Sequence, residues 1–242
     1  MRRAPALRSR LQVLIAAAGG LVFVAALVNF AVWYVRGGAA APDPSVPAWR
    51  PVLIDIALFS GFALHHSVFA RTGAKAWIQR LAPAALERSI YVWIASLLFI
   101  AVCVWWQPVP GVAWDVHGPA RVGLVGVQAL AGVFTLAAAR RLDVLDLAGV
   151  SQVLRQGPNT TRHELDESGP YGIVRHPIYL AWMALVWCAP AMDGTRLVFA
   201  AVSTAYLLVA IPFEERDLRR VFGRDYAQYS QHVRWRVLPF LY

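Results

Sequence analysis

The stretch LQVLIAAAGGLVFVAALVNFAVWYV, Leu11–Val35, contains 25 residues and no charged side chain. As an α-helix it would be about 37 Å long, enough to cross a hydrocarbon core of roughly 30 Å with some tilt. Four arginines precede it and three alanines, Ala39 to Ala41, follow it, a pattern that also suits a cleaved signal peptide. The apolar part of a signal peptide is normally only about 7–15 residues long. We therefore predict a retained transmembrane helix.

The composition extends this prediction to the whole chain. Of its 242 residues, 58% are apolar and 15% are charged, whereas a soluble domain carries about 25% charged residues. Five more apolar runs follow the first, at Pro51–Ala70, Ser89–Gln107, Val122–Ala139, Pro177–Met192 and Leu197–Phe213. The sequence thus predicts an all-α, polytopic integral membrane helical bundle of about six transmembrane helices, followed by a C-terminal amphipathic helix from Glu214 to about Val233.

The domain organisation and the positions of the cysteines limit the possible kinds of fold. We assign residues 1–50 to an N-terminal transmembrane helix with its linker, and residues 51–242 to a membrane core. Cys103 and Cys188 are the two cysteines, and both lie inside apolar runs. Neither a disulfide scaffold nor a zinc fold is compatible with that placement.

The charge distribution predicts an orientation. The net charge is +9. If six helices alternate from a cytoplasmic N-terminus, 19 of the 23 basic residues fall in cytoplasmic segments and 4 outside, as the positive-inside rule requires. We therefore predict a multi-pass protein of the bacterial inner membrane with both termini in the cytoplasm. Membrane insertion in this orientation accounts for the excess of basic residues, so nucleic-acid binding is not needed to explain it. We expect membrane lipids as partners and no obligate protein partner.

Ionisable residues gather near the predicted cytoplasmic ends of the helices. These residues are His65, His66, Glu87, Arg88, Arg175, His176, Glu214 and Glu215. Placing an ionisable side chain in lipid costs free energy, so we expect each of these residues to have a functional role. Together they predict one pocket on the cytoplasmic side. In the alternative interpretation Glu87 and Arg88 form an interfacial pair, one of the two adjacent histidines is structural, and Asp55 only packs or accepts hydrogen bonds.

Two motifs carry the chemistry. GPYGIVRHPIYL occupies Gly169–Leu180, and Glu214 begins EExxLxxxFGxxYxxY, which ends at Tyr229. The pair resembles the membrane-embedded, S-adenosylmethionine-dependent methyltransferases of the isoprenylcysteine carboxyl methyltransferase and phospholipid methyltransferase type. Upstream, the stretches 62–71 and 87–91 are similar to the nurim-related branch that contains methanethiol S-methyltransferases. The sequence has no GxGxxG loop, which excludes a Rossmann-type site.

The resemblance implies methyl transfer to a small or lipophilic, methanethiol-like thiol. Alternatives are a prenylcysteine carboxylate, a phospholipid amine, or a non-catalytic nurim-like membrane scaffold. A proton-coupled transporter fits less well, because the ionisable groups collect at one face. Methyl transfer from a sulfonium needs no metal, but it needs the nucleophile aligned within about 3–3.5 Å.

The motifs also imply residue roles. The cofactor-binding residues would be Tyr171, Arg175, His176, Pro177, Tyr179, Glu214 and Glu215. Arg175 and the backbone N–H groups beside it could hold the methionine carboxylate, and either glutamate could accept ribose hydroxyls or balance the sulfonium. The catalytic residues would be His66, Arg88 and Glu215, with His66 as the base for the thiol and Arg88 as an electrostatic alternative.

Overall fold

The computed structural model describes residues 3–38, 41–69, 80, 82–141, 149–154 and 165–242, with side chains from Arg10 onwards. The helices are α1 (Arg3–Val35), α2 (Trp49–Phe69), α3 (Glu87–Trp105), α4 (Gly118–Ala139), α5 (Val150–Leu154), α6 (Pro177–Trp187), α7 (Gly194–Phe222) and α8 (Arg224–His232), and the strands are β1 (Val112–Asp115) and β2 (Ala191–Asp193). Ala39, Ala40, Ala70, Arg71, Lys75, Arg155 and Arg162, on which parts of the sequence prediction fell, lie outside the described residues.

Five helical stretches are long and apolar enough to cross a membrane. They are Arg10–Val35, Trp49–Phe69, Ala84–Trp105, Gly118–Ala139 and Gly194–Phe222. This confirms the predicted all-α, polytopic membrane bundle. The chain divides into two compact units, residues 1–108 with 142–161 and residues 109–141 with 162–242. The proposed boundary at residue 50 stays a prediction.

In the first unit, aromatic packing joins α1 to α3. The rings of Phe30 and Phe99 lie 5.5 Å apart, and the Trp93 indole donates a hydrogen bond of 3.0 Å to the carbonyl of Ile15. Asp55 of α2 is fully buried and accepts a 2.7 Å hydrogen bond from the backbone N–H of Gln107. The hydrogen-bonding interpretation of Asp55 is therefore confirmed.

In the second unit, the predicted fifth span Pro177–Met192 needs correction, because α6 ends at Trp187 after 11 residues. The chain nevertheless returns along the whole of α4. Arg141, just after α4, pairs with Asp166 at 3.9 Å. Val116, just before α4, donates its N–H to the carbonyl of Pro190 at 2.8 Å. The path therefore runs antiparallel to a helix of 22 residues, or about 33 Å.

Helix α6 accounts for only about 16 Å of that return. A 3-10 helix, Gly169–Gly172, precedes it, and non-helical backbone follows it as far as β2, which pairs antiparallel with β1. Side chains of α4 and β1 donate hydrogen bonds to two carbonyl groups here, one in the last turn of α6 and one after it. Gln128 donates to the carbonyl of Leu185, and Trp114 donates to that of Ala189, both at 2.8 Å. Non-helical backbone is tolerated at membrane depth when protein groups satisfy it in this way.

The C-terminal region also differs from the prediction. A separate amphipathic helix was expected to begin at Glu214, but α7 continues without interruption from Gly194 to Phe222. The i,i+4 ion pair of Glu215 with Arg219, at 3.3 Å, supports this extension. The helix ends where Gly223 adopts φ 59° and ψ −118°, a conformation that side chains disfavour. A nine-residue helix, α8, follows.

Candidate active site

The segment Arg175–Tyr179 is held by the C-terminal tail and by the start of α6. The N–H groups of Arg175 and His176 donate to the carbonyls of Trp235 and Arg236 at 2.9 and 2.8 Å. Pro177 is the first residue of α6, a position where its missing N–H costs little. The directions of the side chains on either side of this proline are therefore fixed by backbone contacts.

His176, Tyr179 and Glu214 form one cluster. The rings of His176 and Tyr179 stack with centroids 5.3 Å apart and planes at 12°. The Tyr179 hydroxyl donates to Oε1 of Glu214, and Nδ1 of His176 lies 3.5 Å from Oε2 of the same carboxylate. The Glu214 side chain is 44% exposed. This carboxylate is therefore both oriented and accessible.

Glu215 points about 100° away from Glu214 around the helix, and it shares only the His176 ring with it, at 3.7 Å from Nε2. Its side chain is only 1% exposed. Nε of Arg175 donates to it at 2.8 Å, and Arg219 and Arg236 approach it at 3.3 Å each. A buried carboxylate among three guanidinium groups is a structural hub, since each partner compensates the cost of burying the others.

Arg175 also ties the hub to α8. One of its Nη atoms lies 3.0 to 3.3 Å from the carbonyls of Ser230, Val233 and Arg234. These carbonyls lie at the C-terminal end of α8, where backbone acceptors lack helical partners and a cation is favoured. The Arg175 guanidinium is thus engaged by Glu215 on one side and the end of α8 on the other.

Two tyrosines of α8 complete the surroundings of the hub. Burial, followed by the nearby Glu215 carboxylate, raises the pKa of Tyr226 to about 12. Burial likewise raises the pKa of Tyr229, whose hydroxyl donates to the carbonyl of Tyr171 at 2.8 Å. Both phenols therefore stay neutral near pH 7, and Tyr171 contributes its backbone carbonyl to the cluster.

The structure thus brings together all seven residues that the sequence assigned to cofactor binding, in one unit. Arg219, Arg236 and Tyr242 belong to the same network and were missed. Arg219 carried a signal, since it follows Glu215 by four residues. No sequence pattern pointed to Arg236, whose Nη1 atom lies at hydrogen-bond distance, 2.9 Å, from the Tyr242 hydroxyl. Burial acts to lower the pKa of Arg236, but the Glu215 carboxylate and the Tyr242 hydroxyl outweigh it and raise that pKa.

A second cluster lies in the other unit. Nδ1 of His66 lies 2.9 Å from the Tyr91 hydroxyl, and the Arg88 guanidinium lies 5.4 Å from the centre of the Tyr91 ring. The His65 ring stacks on Tyr91 at 5.6 Å and on Phe69 at 4.8 Å. His66 and Arg88, the two residues assigned to acceptor chemistry, therefore share one partner.

The neighbouring Glu87 is buried at 5% exposure, which argues against an interfacial Glu87–Arg88 pair. The backbone N–H of Arg88 donates to the side chain of Gln152 at 3.1 Å, which fixes the start of α3. That the two clusters share one cytoplasmic pocket stays a prediction.

The chain is similar to several curated proteins that share one name, methanethiol S-methyltransferase. The chain is 35% identical to a methanethiol S-methyltransferase of Mycobacterium tuberculosis over 231 residues, 92% of this chain and 94% of that one. It is 38% identical to methanethiol S-methyltransferase 2 of Bradyrhizobium diazoefficiens, covering 75% of this chain and 71% of that one. Nurim of Xenopus laevis is 27% identical, covering 77% and 66%. No family model and no solved structure matches the chain.

Proposed function

The chain belongs to the methanethiol S-methyltransferase family and is a methyltransferase, and we propose that it transfers a methyl group from S-adenosylmethionine to methanethiol or a similarly small thiol. The observation that carries this proposal is the similarity to the mycobacterial enzyme along nearly its whole length. The resemblance of the motifs to the nurim-related branch agrees with it.

The residues around Glu214 fit this donor. The oriented, 44% exposed Glu214 carboxylate suits an amino group, ribose hydroxyls or a nearby positive charge. Nε2 of His176 is buried and lies 3.7 Å from Oε1 of Glu215, while Nδ1 of the same ring lies 3.5 Å from Oε2 of Glu214, so the ring is held between the two glutamates. When bound, the donor supplies a methyl group on a positively charged sulfur.

We assign the protein side of donor binding to two layers. Glu214, His176 and Tyr179 contact the donor, and the tyrosine hydroxyl keeps the carboxylate in place. Arg175 and Glu215 act as positioning residues, because their charged groups are engaged by each other and by the end of α8. This assignment replaces the direct carboxylate contact that the sequence suggested for Arg175.

For the acceptor, we propose that His66 takes the thiol proton. A free thiol with a pKa near 8.5 is only a few per cent thiolate at neutral pH, so a base or a positive environment is required. Tyr91 orients the His66 ring, and Arg88 over the Tyr91 ring supplies positive charge to the same cluster. Nε2 of His66 would accept the proton of the thiol, and the resulting thiolate would be the nucleophile for the methyl group that the donor supplies.

We further propose the bacterial inner membrane as the location, with both termini in the cytoplasm. The distribution of the basic residues supports this orientation, and so does the short helix α6 followed by β2, which we propose as a sixth crossing. A C-terminal reporter enzyme that works only in the cytoplasm should be active. Activity of a reporter that works only in the periplasm would contradict this orientation.

The function is tested with the purified protein in lipid nanodiscs and methyl-labelled S-adenosylmethionine. Label should pass to methanethiol and small thiols in preference to prenylcysteines or phosphatidylethanolamine. Glu214→Gln should abolish most of the transfer, whereas Asp225→Asn, which changes an exposed carboxylate in α8, should not. Label in prenylcysteine or lipid alone would reject the thiol assignment, and no transfer to any acceptor would reject the enzyme.

A further inference from the structure

A cavity of about 420 Å³ lies beside the C-terminal part of α7. Its lining consists of Pro212, Glu215, Arg216, Arg219, Arg220 and Arg236. In the part of the chain that the structure describes, four guanidinium groups therefore face one space together with a single carboxylate. The roles proposed above for the methyl donor and the thiol leave this cavity without an occupant.

The charge balance of the cavity is positive. Among the described residues, Glu215 is the one acidic residue of the lining, and its carboxylate is already paired at 2.8 Å with Arg175, which does not line the cavity. Arg220 approaches Asp217 at 3.4 Å, but both side chains are exposed, and pairs of this kind contribute little. Arg216 and Arg220 are thus available to an anion from outside.

The cavity also lies at a definite level of α7. The apolar part of the helix ends at Phe213 and the charged part begins at Glu214. Pro212 lines the cavity, and the Arg216 guanidinium lies 5.7 Å from the centre of the Phe213 ring. In a membrane-spanning helix this change from apolar to charged residues marks the depth of the lipid headgroups.

We propose that this cavity binds the phosphate of an anionic phospholipid headgroup. Arginine presents two parallel N–H donors that match phosphate oxygens, and basic pockets at headgroup depth favour anionic lipids. The positive surplus disfavours the sulfonium of the methyl donor, whose assigned contacts lie around Glu214. The cavity is therefore a lipid site that lies next to the proposed donor contacts, because Glu215 lines it and approaches His176 at 3.7 Å.

The test compares Arg216→Gln/Arg220→Gln with a matched control, Arg224→Gln, which removes an exposed arginine outside the cavity lining. Binding of a fluorescent phosphatidylglycerol is measured in phosphatidylcholine nanodiscs. The double variant should bind about 30-fold more weakly, since each basic residue near an anionic headgroup contributes roughly a factor of five. The control should bind like the wild type.

Three outcomes would overturn the proposal. One is equal phosphatidylglycerol binding by the wild type and the double variant. A second is complete displacement of the lipid by millimolar inorganic phosphate, which would mark a site for free phosphate. The third is loss of S-adenosylmethionine binding with lipid binding unchanged, which would assign the cavity to the donor. If the double variant unfolds, Arg216→Lys/Arg220→Lys keeps the charge and should lose only the affinity that two-pronged phosphate contacts add.

Discussion

Nε of Arg175 donates a hydrogen bond to Oε1 of Glu215 at 2.8 Å, and the two side chains are only 8% and 1% exposed. The pair links a residue two positions before α6 to the second residue of the charged end of α7. Removing one partner from a buried ion pair typically costs about 3–5 kcal/mol, because the other charge stays buried without compensation. Glu215→Gln should therefore lower the free energy of unfolding by on the order of 3 kcal/mol.

Thermal unfolding in detergent, followed by circular dichroism, measures this change. Asp225→Asn serves as the control, since that carboxylate is exposed. Arg175→Lys should also destabilise, because one ammonium group cannot reach both Glu215 and the carbonyls at the end of α8. Equal stability of Glu215→Gln and the wild type would show that the arginines find compensation elsewhere.

The Tyr179 hydroxyl orients the Glu214 carboxylate, so removing it should weaken donor binding without unfolding the protein. A hydrogen bond to a charged group contributes about 1.5–3 kcal/mol, which corresponds to an increase in the dissociation constant of roughly 10- to 100-fold. Tyr179→Phe keeps the ring that stacks on His176. Isothermal titration with S-adenosylmethionine gives the affinity, and an unchanged value would remove Glu214 from the donor site.

The sequence was informative wherever contacts are local or set by a motif. His176, Tyr179 and Glu214 were singled out from two short motifs, and the structure places them side by side. Arg236 is different, because it reaches Glu215 only through the path of the C-terminal tail. No periodicity or spacing in the sequence indicates this contact between Arg236 and Glu215. The sequence therefore predicts only some of the residues around Glu215.

The helix count shows a second limit of sequence patterns. Pro177–Met192 is apolar throughout, and apolarity alone does not separate a helix from a helix followed by extended backbone. The carbonyls after Trp187 are satisfied by Trp114 and by the pairing of β1 with β2. Such long-range partners decide the structure of residues 188–192, and they are invisible in the local sequence.

Gly149 should be intolerant of substitution. Its φ is +78°, and an added Cβ would lie 2.6 Å from Oγ and 2.7 Å from the backbone N of Ser89. Strain and overlap together should make Gly149→Ala cost on the order of 2–4 kcal/mol. Gly123→Ala in α4 is the matched control, because no atom lies within 4 Å of its added Cβ, and it should be neutral or stabilising. Equal melting temperatures for both variants would contradict the close approach of Gly149 to Ser89.

The buried Tyr226 should make the stability of the fold sensitive to alkaline pH. Burial raises its pKa from 10.0 to about 12, so the folded state holds the phenolic proton more tightly than the unfolded state. The resulting stability is complete below pH 10 and is lost as the pH rises through about 12, with a total near 3 kcal/mol. Tyr226→Phe should remove this part of the pH dependence. Parallel loss of stability in the variant and the wild type between about pH 10 and 12 would assign it to other groups.

His66 is the proposed base for the acceptor thiol. The Tyr91 hydroxyl lies 2.9 Å from Nδ1 of His66 and 3.3 Å from the His66 carbonyl. If the Tyr91 hydroxyl donates its proton to the His66 carbonyl, the hydroxyl oxygen accepts a hydrogen bond from Nδ1–H of His66. Nε2 of His66 then keeps the lone pair that a base needs. His66→Ala should then slow methyl transfer to thiols by about 10²-fold, the low end for general acid–base catalysis, while donor affinity stays near that of the wild type.

Tyr91→Phe should reproduce part of this loss and change the pH profile of turnover, because the ring nitrogen that carries the proton is no longer fixed. His65→Ala should have a smaller effect on turnover, since that ring stacks on Phe69 and Tyr91 and points about 100° away from His66. Turnover of the three variants is measured from roughly pH 6 to 9, the range over which histidine and thiols titrate. If His66→Ala keeps wild-type turnover throughout, the positive charge of Arg88 and of the donor activates the thiol, and His66 is a structural partner of Tyr91.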